Sequence, residues 1–446
     1  MQSSERDSDA IIIGGGMAGL AAATLLAKQG KSVRLIEQSQ AVGGRARTKE
    51  LNGFYLNLGP HALYRSGRGI QVLKELGIEP RGRVPSVSGA YAIKDGLKHT
   101  FPAGLVSMLT TSLLGLSAKL EAGRLLASIQ KIDSDALMSV TVREWVEGQI
   151  SHPEVRDLFL AVFRVSTYTN APETMSAGAA LEQVKMALDK SVLYLDGGWQ
   201  SIVNEMEQAA ERAGVITENG VKVESIERDG AGEVRGVRLA DGRTIVSSIV
   251  VAASSPAVAA RLLERGETNP SLRSSLAKWA DESIPVKAAC LDIALSRLPN
   301  PKATFALGID RPLYLSVHSA TAKLAPDGGA LIQLAKYLPP DNDQMPESVE
   351  RELEGLLELV QPGWREALVY RRFLPDMVVM NAIATARLHG TKGRPGPQVE
   401  DVPGLFVVGD WVGEEGLLLD ASLASAKQAA LGIARYKPAV VKMATC

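Results

Sequence analysis

The first ordered pattern in the chain is an apolar run, Ala10-Ile11-Ile12-Ile13, that ends on Gly14-Gly15-Gly16 and passes into Leu20-Ala21-Ala22-Ala23-Thr24-Leu25-Leu26-Ala27. That order predicts a buried strand, a tight turn and a small-residue helix. A second strand-like run, Ser32-Val33-Arg34-Leu35-Ile36, ends in Glu37. A short helix is expected from Gly69 to Leu76, and Tyr91 to Phe101 reads as a hairpin turning on Asp95-Gly96. From Leu105 to Leu188 the pattern is helical, opening with the strongly apolar stretch Leu105–Leu116. A helix at Ser201–Ala213 precedes strands at Val221–Ile226, Val234–Leu239 and Ile245–Ala252, with a turn at Asp241-Gly242, which together predict a small β-meander. Strands at Val286–Leu295, Leu313–Val317, Ala330–Tyr337 and Val369–Leu374, with a helix at Ser348–Val360, predict an antiparallel or mixed sheet. The pattern closes with a buried strand leading to Gly409-Asp410 and a helix from Leu418 to about Tyr436.

The opening strand and helix carry chemistry. Gly14-x-Gly16-x-x-Gly19 lies between them, and Glu37 stands 21 residues past Gly16, near the spacing expected of a dinucleotide site. Gly14 permits the turn, Gly16 lets a pyrophosphate approach the backbone, and Gly19 lets helix pack on strand. The helix start, at Met17 and Ala18, offers free N–H groups to phosphate, and Glu37, with Gln38 beside it, can accept ribose hydroxyls. An ordinary glycine turn is the bland alternative. Gly43-Gly44-Arg45-Ala46-Arg47-Thr48 follows, adding a second close-approach backbone and two arginines, Arg45 and Arg47, as cationic forks suited to a diphosphate.

The block from Ile11 to Thr48, an acid ending the second strand and then Gly-Gly-Arg-x-x-Ser/Thr, resembles the FAD-binding N-terminus of the amine oxidase, protoporphyrinogen oxidase and phytoene desaturase superfamily. The resemblance implies an α/β fold with a Rossmann-like FAD-binding domain of the glutathione-reductase kind, its β-meander, and a mixed α+β substrate domain. It divides the chain into a discontinuous FAD domain (residues 1–85, 196–260 and 395–446) and a substrate domain (86–195, with the helical insertion, and 261–394). It implies noncovalent FAD, since no Cys or His falls in the attachment motif. It places Gly59-Pro60-His61 beside the isoalloxazine ring, in a form most like phytoene desaturase relatives, with a plain loop histidine as the alternative. Val223 would lie against adenine, Asp410 after Gly409 would bond the ribityl or pyrophosphate part, and the helix from Leu418 would aim its N-terminus at the flavin pyrimidine. Lys287, on an otherwise apolar strand face with Ala289, Leu291, Ile293 and Leu295, would hold a water near flavin N5; a lysine snorkelling to solvent is the alternative. Leu417-Leu418-Leu419 stands where monoamine-type oxidases carry an aromatic ring, which disfavours a cage for a cationic amine.

Composition sharpens this. With 49 basic and 50 acidic residues, no global field recruits nucleic acid or an anionic membrane. Only Cys290 and Cys446 occur, giving neither a disulfide framework nor metal spacing, and the polar start from Met1 to Asp9 is not a secretory leader. A cytoplasmic protein is expected. Leu105–Leu116 is too short to span a bilayer and reads as a core helix or pocket lid, with peripheral membrane contact as the alternative. The expected activity is dehydrogenation of a largely apolar small molecule by hydride transfer to flavin N5, with oxygen or a quinone as electron acceptor. An amine or amino-acid oxidase using Lys287, a non-redox flavin-dependent isomerase, and a flavin-binding protein with a dead site are the rivals. Glu37→Ala is expected to weaken FAD binding by about tenfold or more, and the flavin content of the purified protein checks it.

Overall fold

The computed structural model describes residues 8–266 and 274–436. The polar start before Ser8 and the expected loose tail from Lys437 to Cys446 lie outside the described residues. Two sheets organise them.

The first sheet is parallel throughout, in the order Ile216–Asn219, Val33–Glu37, Ala10–Ile13, Val250–Ala252, Leu405–Val407. Both faces are buried, which is why its first strand is an uninterrupted apolar run. Ala10, Ile12 and Leu35 pack with the helices Met17–Lys28, Gln200–Arg212 and Leu418–Arg435. Ile11, Ile13 and Ile36 point the other way, into a cluster shared with the meander. That meander is antiparallel: Val223–Arg228, Val234–Leu239, Thr244–Val246.

One expected strand is two. Thr244–Val246 belongs to the meander and Val250–Ala252 to the parallel sheet. Between them the Ser247 hydroxyl accepts from Ile249 N (3.2 Å) and lies 3.2 Å from Asp9 O, so a local side-chain bond replaces the ladder and turns the chain. Ile216–Asn219 was not expected from the pattern: it is an edge strand with Ile216 half exposed, and it shows no apolar run.

The second sheet has seven strands, in the order Leu368–Met380, Val286–Leu295, Ala330–Leu338, Leu313–Val317, Phe305–Gly308, Ala90–Lys94, Leu97–Thr100. Phe305–Gly308 pairs parallel with Ala90–Lys94, and the other pairings are antiparallel. The hairpin turn holds Asp95 at φ 52° and Gly96 at φ 74°, the two left-handed residues of a type I′ turn. The helix Pro346–Val360 covers the face that carries Ala289, Leu291, Ile293 and Leu295. Helices at Leu105–Thr110, Leu116–Ser128, Val142–Gln149, Pro153–Thr167 and Ala177–Lys190 share a second apolar cluster with Ala288, Cys290, Ala335 and Tyr337 of the opposite face.

Around the glycine turn the tightest approach is at Gly19, in the first turn of the helix Met17–Lys28. A Cβ there would lie 1.9 Å from Gly14 O and 3.1 Å from Ala253 Cβ, and backbone cannot give way as a side-chain tip can. Gly19→Ala is therefore expected to cost about 2 kcal/mol or more of stability, seen as a lowered denaturation midpoint together with loss of bound flavin.

Candidate active site

The glycine turn is built as its spacing requires. Gly14 takes φ 103°, and a Cβ on it would stand 2.6 Å from Ala253 O. Gly14 N bonds Ile36 O (2.8 Å), tying the turn to the second strand. Glu37, buried at the end of that strand, accepts from Gly15 N and from Ser39 N, both at 2.7 Å. Its carboxylate thus joins the turn to the segment that follows. Gln38 beside it is exposed.

Gly43-Gly44-Arg45 meets this turn directly. Gly43 N donates to Gly15 O (2.7 Å), and a Cβ on Gly44 would be 3.4 Å from Gly16 Cα. Val221 N bonds Glu37 O (3.0 Å), which brings the meander and its buried Val223 to the carboxylate end of the strand. Arg45 then reaches the far end of the chain, with Nη1 2.8 Å from Asp410 and 2.7 Å from Val379 O. Asp410 is buried and also accepts from Asn381 Nδ2 (2.8 Å). Gly409 is fixed by Ser425, whose hydroxyl accepts from its N–H (3.0 Å). Gly14, Gly16, Met17, Ala18, Gly19, Glu37, Gly43, Gly44, Arg45, Val223, Gly409 and Asp410 therefore belong to one assembly.

These residues fit a flavin dinucleotide. A Cβ on Gly16 would meet nothing within 4 Å. The helix starting at Met17 has neither a side-chain cap nor an acid in its first turn, so the positive end of its dipole stays open to an anion. Arg394, on the loop before the last strand, has Nε and Nη2 buried without a partner among the described residues. Burial lowers its pKa to about 10, against the opposing pull of Asp410. A buried guanidinium with spare donors suits a phosphate or a ring carbonyl.

The final helix begins at Leu418, a non-glycine residue at φ 55°, a conformation that costs a bulky side chain about 1 kcal/mol or more. Strain of that kind concentrates at functional sites. Asp420 in its first turn accepts from Gly69 N (2.6 Å), and burial raises its pKa to about 6.

Gly59-Pro60-His61 lies between the two sheets. Gly59 takes φ 77°, and a Cβ on it would meet Cys290 Sγ at 2.7 Å. Gln333 Nε2 donates to Gly59 O (2.9 Å), and the Tyr168 hydroxyl donates to Pro60 O (3.0 Å). His61 sits edge-on to Trp199, with ring centroids 5.0 Å apart, and desolvation holds its pKa below the usual imidazole value. The wall beside this segment is the sheet face of Ala288, Cys290, Ala335, Tyr314 and Tyr337, joined by Leu417 and Leu418. Tyr194 stacks on His318 at 3.9 Å, and the Tyr314 hydroxyl lies 3.2 Å from both Tyr194 Oη and His318 Nε2. Burial raises the pKa of each of these tyrosines and lowers that of His318 to about 3, helped by the neighbouring His61. The charges on this face, Asp292 and Arg372, pair with each other (Nε–Oδ2 3.0 Å).

Lys287 is not brought to this site. Its alternation with Ala289 and Leu291 holds, but that face packs on the helix Pro346–Val360, whereas Ala288, Cys290 and Asp292 face Gly59. The Lys287 ammonium bonds Asp376 (2.9 Å), and its side chain is one-third exposed. The placement matches the snorkelling alternative rather than a lysine beside N5. Residues missed from sequence are Cys290, Tyr168, Tyr314, Gln333, Tyr337 and Arg394. Three of them were readable: Tyr314, Gln333 and Tyr337 fall on the face of Cys290 by strand alternation once the strands are paired. Arg394 lies in a loop without periodicity.

A family model described as flavin-containing amine oxidoreductase matches residues 17–288, more than half of the chain. A curated relative, 4,4'-diaponeurosporene oxygenase of Staphylococcus aureus (strain USA300), is 24% identical over 279 residues, 54% of this chain and 54% of the relative. The alignment thus spans about half the length of the curated relatives the chain matches. Among solved structures, an oxidoreductase from Methanosarcina mazei has a TM-score of 0.74 at 20% identity, over 94% of this chain and 98% of that one. Wild-type putrescine oxidase bound to putrescine has 0.71 at 17%, over 96% and 99%. Cyclohexylamine oxidase from Brevibacterium oxydans has 0.66 at 20%, over 96% and 99%. These structural likenesses carry the fold.

From its placement, Lys287→Met is expected to leave the rate of flavin reoxidation by air unchanged within about twofold. Stopped-flow mixing of the reduced variant with oxygen checks this, and a large slowing would return the lysine to the site.

Proposed function

The chain belongs to the flavin-containing amine oxidoreductase family and is an FAD-dependent oxidoreductase, and within that family we propose that it dehydrogenates a largely apolar small molecule. FAD supplies the hydride acceptor. The chain's own residues bind, orient and exclude water. The helix start at Met17, Gly44 and Arg45 would receive the diphosphate, and Glu37 would keep its loop N–H bonds and accept ribose hydroxyls on its remaining lone pairs. The N-terminus of the Leu418 helix, its positive end partly offset by Asp420 in the first turn, would point toward the flavin pyrimidine.

The observation that carries the substrate class is the wall facing Gly59-Pro60-His61. It is a buried cluster of Ala288, Cys290, Tyr314, Ala335, Tyr337 and Leu417 with Leu418 packed against it, and the nearby charges Asp292 and Arg372 neutralise one another. Such a surface pairs with hydrocarbon and leaves an ammonium or carboxylate without a partner. The carotenoid name of the curated relative agrees with this class. A second reading, an amine oxidase, is favoured by Tyr168 and Tyr337, whose rings meet edge-on at 5.9 Å beside Pro60. These tyrosines could frame an amine in place of the aromatic ring absent at Leu417–Leu419.

Anaerobic mixing of the holoenzyme with apolar polyenes and with primary amines separates the two by loss of visible flavin absorbance. The polyenes are expected to bleach the flavin; bleaching by amines alone would overturn the reading. The histidines here stay neutral and the tyrosines protonated. The reduction rate is therefore expected to stay flat from about pH 7 to about pH 9. An amine substrate would instead impose its own ionisation on that profile.

A further inference from the structure

Leu105–Thr110 and Leu116–Ser128 are two short helices whose outward faces are apolar. Leu105, Val106 and Leu109 on the first are 78%, 74% and 65% exposed, and Leu116 and Leu120 on the second are 77% and 56% exposed. Their inward residues Met108, Leu113, Leu114, Ala118 and Ala122 are buried. The core is thus already served, and the outer leucines have no packing role in the chain. Single exposed leucines are ordinary, whereas five large apolar side chains on two consecutive helices form a patch of the kind that contacts another phase or protein.

Charge selects the occupant. No charged residue occurs from Phe101 to Ala118, and from Phe101 to Lys131 the cations are Lys119, Arg124 and Lys131 against a single acid, Glu121. Glu121 is turned inward: its carboxylate accepts from Ser151 N (2.8 Å) and His152 N (3.0 Å). Lys119 is turned toward the patch, its ammonium bonding Leu109 O (2.8 Å) at the end of the first helix. Arg124 is exposed and continues the stripe of Leu116 and Leu120 at the next i+4 step. An apolar face edged by Lys119 and Arg124, with Glu121 withdrawn and Glu154 confined to the Gly115 corner (Oε1 4.0 Å from a Cβ placed there), matches the boundary between acyl chains and anionic headgroups.

We infer that the Leu105–Leu120 face docks on an anionic lipid bilayer, lying in the interface. No helix among the described residues is long and apolar enough to cross a membrane, so the contact is peripheral. The inner sides of the same helices share an apolar cluster with Ala288, Cys290 and Tyr337, so the docking face and the apolar wall of the active site are two sides of one layer.

The test is co-sedimentation of the FAD-loaded enzyme with vesicles of equimolar phosphatidylcholine and phosphatidylglycerol, and with phosphatidylcholine alone. The wild type is expected to bind the anionic vesicles more tightly. The triple variant Leu105→Ser, Leu109→Ser, Leu116→Ser is expected to bind them at least about tenfold more weakly, the factor that partial burial of one leucine supplies. It should keep its flavin and denaturation midpoint, because the three side chains are exposed. Lys119→Ala with Arg124→Ala should remove the preference for anionic vesicles. Wild-type protein left in the supernatant with both vesicles, or a triple variant that binds like wild type, would overturn the inference. So would light scattering that shows a dimer dissolved by the triple variant, which would give the face to a second copy of the chain.

Discussion

Three stretches of backbone meet where no side chain can stand. The turn Gly14–Gly19, the Gly43–Gly44 corner and the start of the loop at Ala253 approach so closely that an added Cβ at Gly14 or Gly19 would collide with main-chain oxygen. Only hydrogen fits, so glycine is set here by geometry. The contact is pinned by one carboxylate: Glu37 spans Gly15 N and Ser39 N. From that pin the second glycine corner delivers Arg45, whose bond to buried Asp410 connects the beginning of the chain with its end. The cofactor site is the set of groups that this convergence leaves facing outward.

The second sheet supplies the other half by strict alternation. On Val286–Leu295 the odd residues belong to the helix Pro346–Val360 and the even ones to the site. A shift of one position would exchange Cys290 for a leucine and turn Asp292 toward the helix. The ion pair of Asp292 with Arg372 accordingly lies on the site face, and Arg372 also bonds Asn57 O, which fixes the strand preceding Gly59. Charge in this region is spent on holding the segment that leads into Gly59-Pro60-His61 in place.

Where a residue's place follows from backbone reach, the sequence was legible: Gly14, Gly16, Gly19 and Glu37 were named from spacing, Gly409-Asp410 from the resemblance, and the structure brings them together with Gly43-Gly44-Arg45. Where it depends on which face of a strand meets which layer, pattern alone did not decide. Lys287 shows this most clearly. Its parity with Ala289 and Leu291 was right, yet parity cannot say which face a helix covers. Tyr168 sits at φ 59° just past a helix end, a place that periodicity does not describe. The break at Ser247 was hidden because both halves of Ile245–Ala252 are apolar, although they serve different sheets. Edge strand Ile216–Asn219 was hidden for the opposite reason, carrying too little apolar signal.

The strand order of the parallel sheet has a consequence for assembly. Its central strand, Ala10–Ile13, precedes the second sheet in the chain, while its neighbour's partner, Leu405–Val407, and the acid that receives Arg45 follow the whole of it. Until that last strand pairs, Val250–Ala252 is an unpaired edge, and the glycine turn has no C-terminal half to close on it. A site assembled from segments on both sides of the second sheet therefore closes only when Leu405–Val407 pairs with Val250–Ala252 and Asp410 meets Arg45.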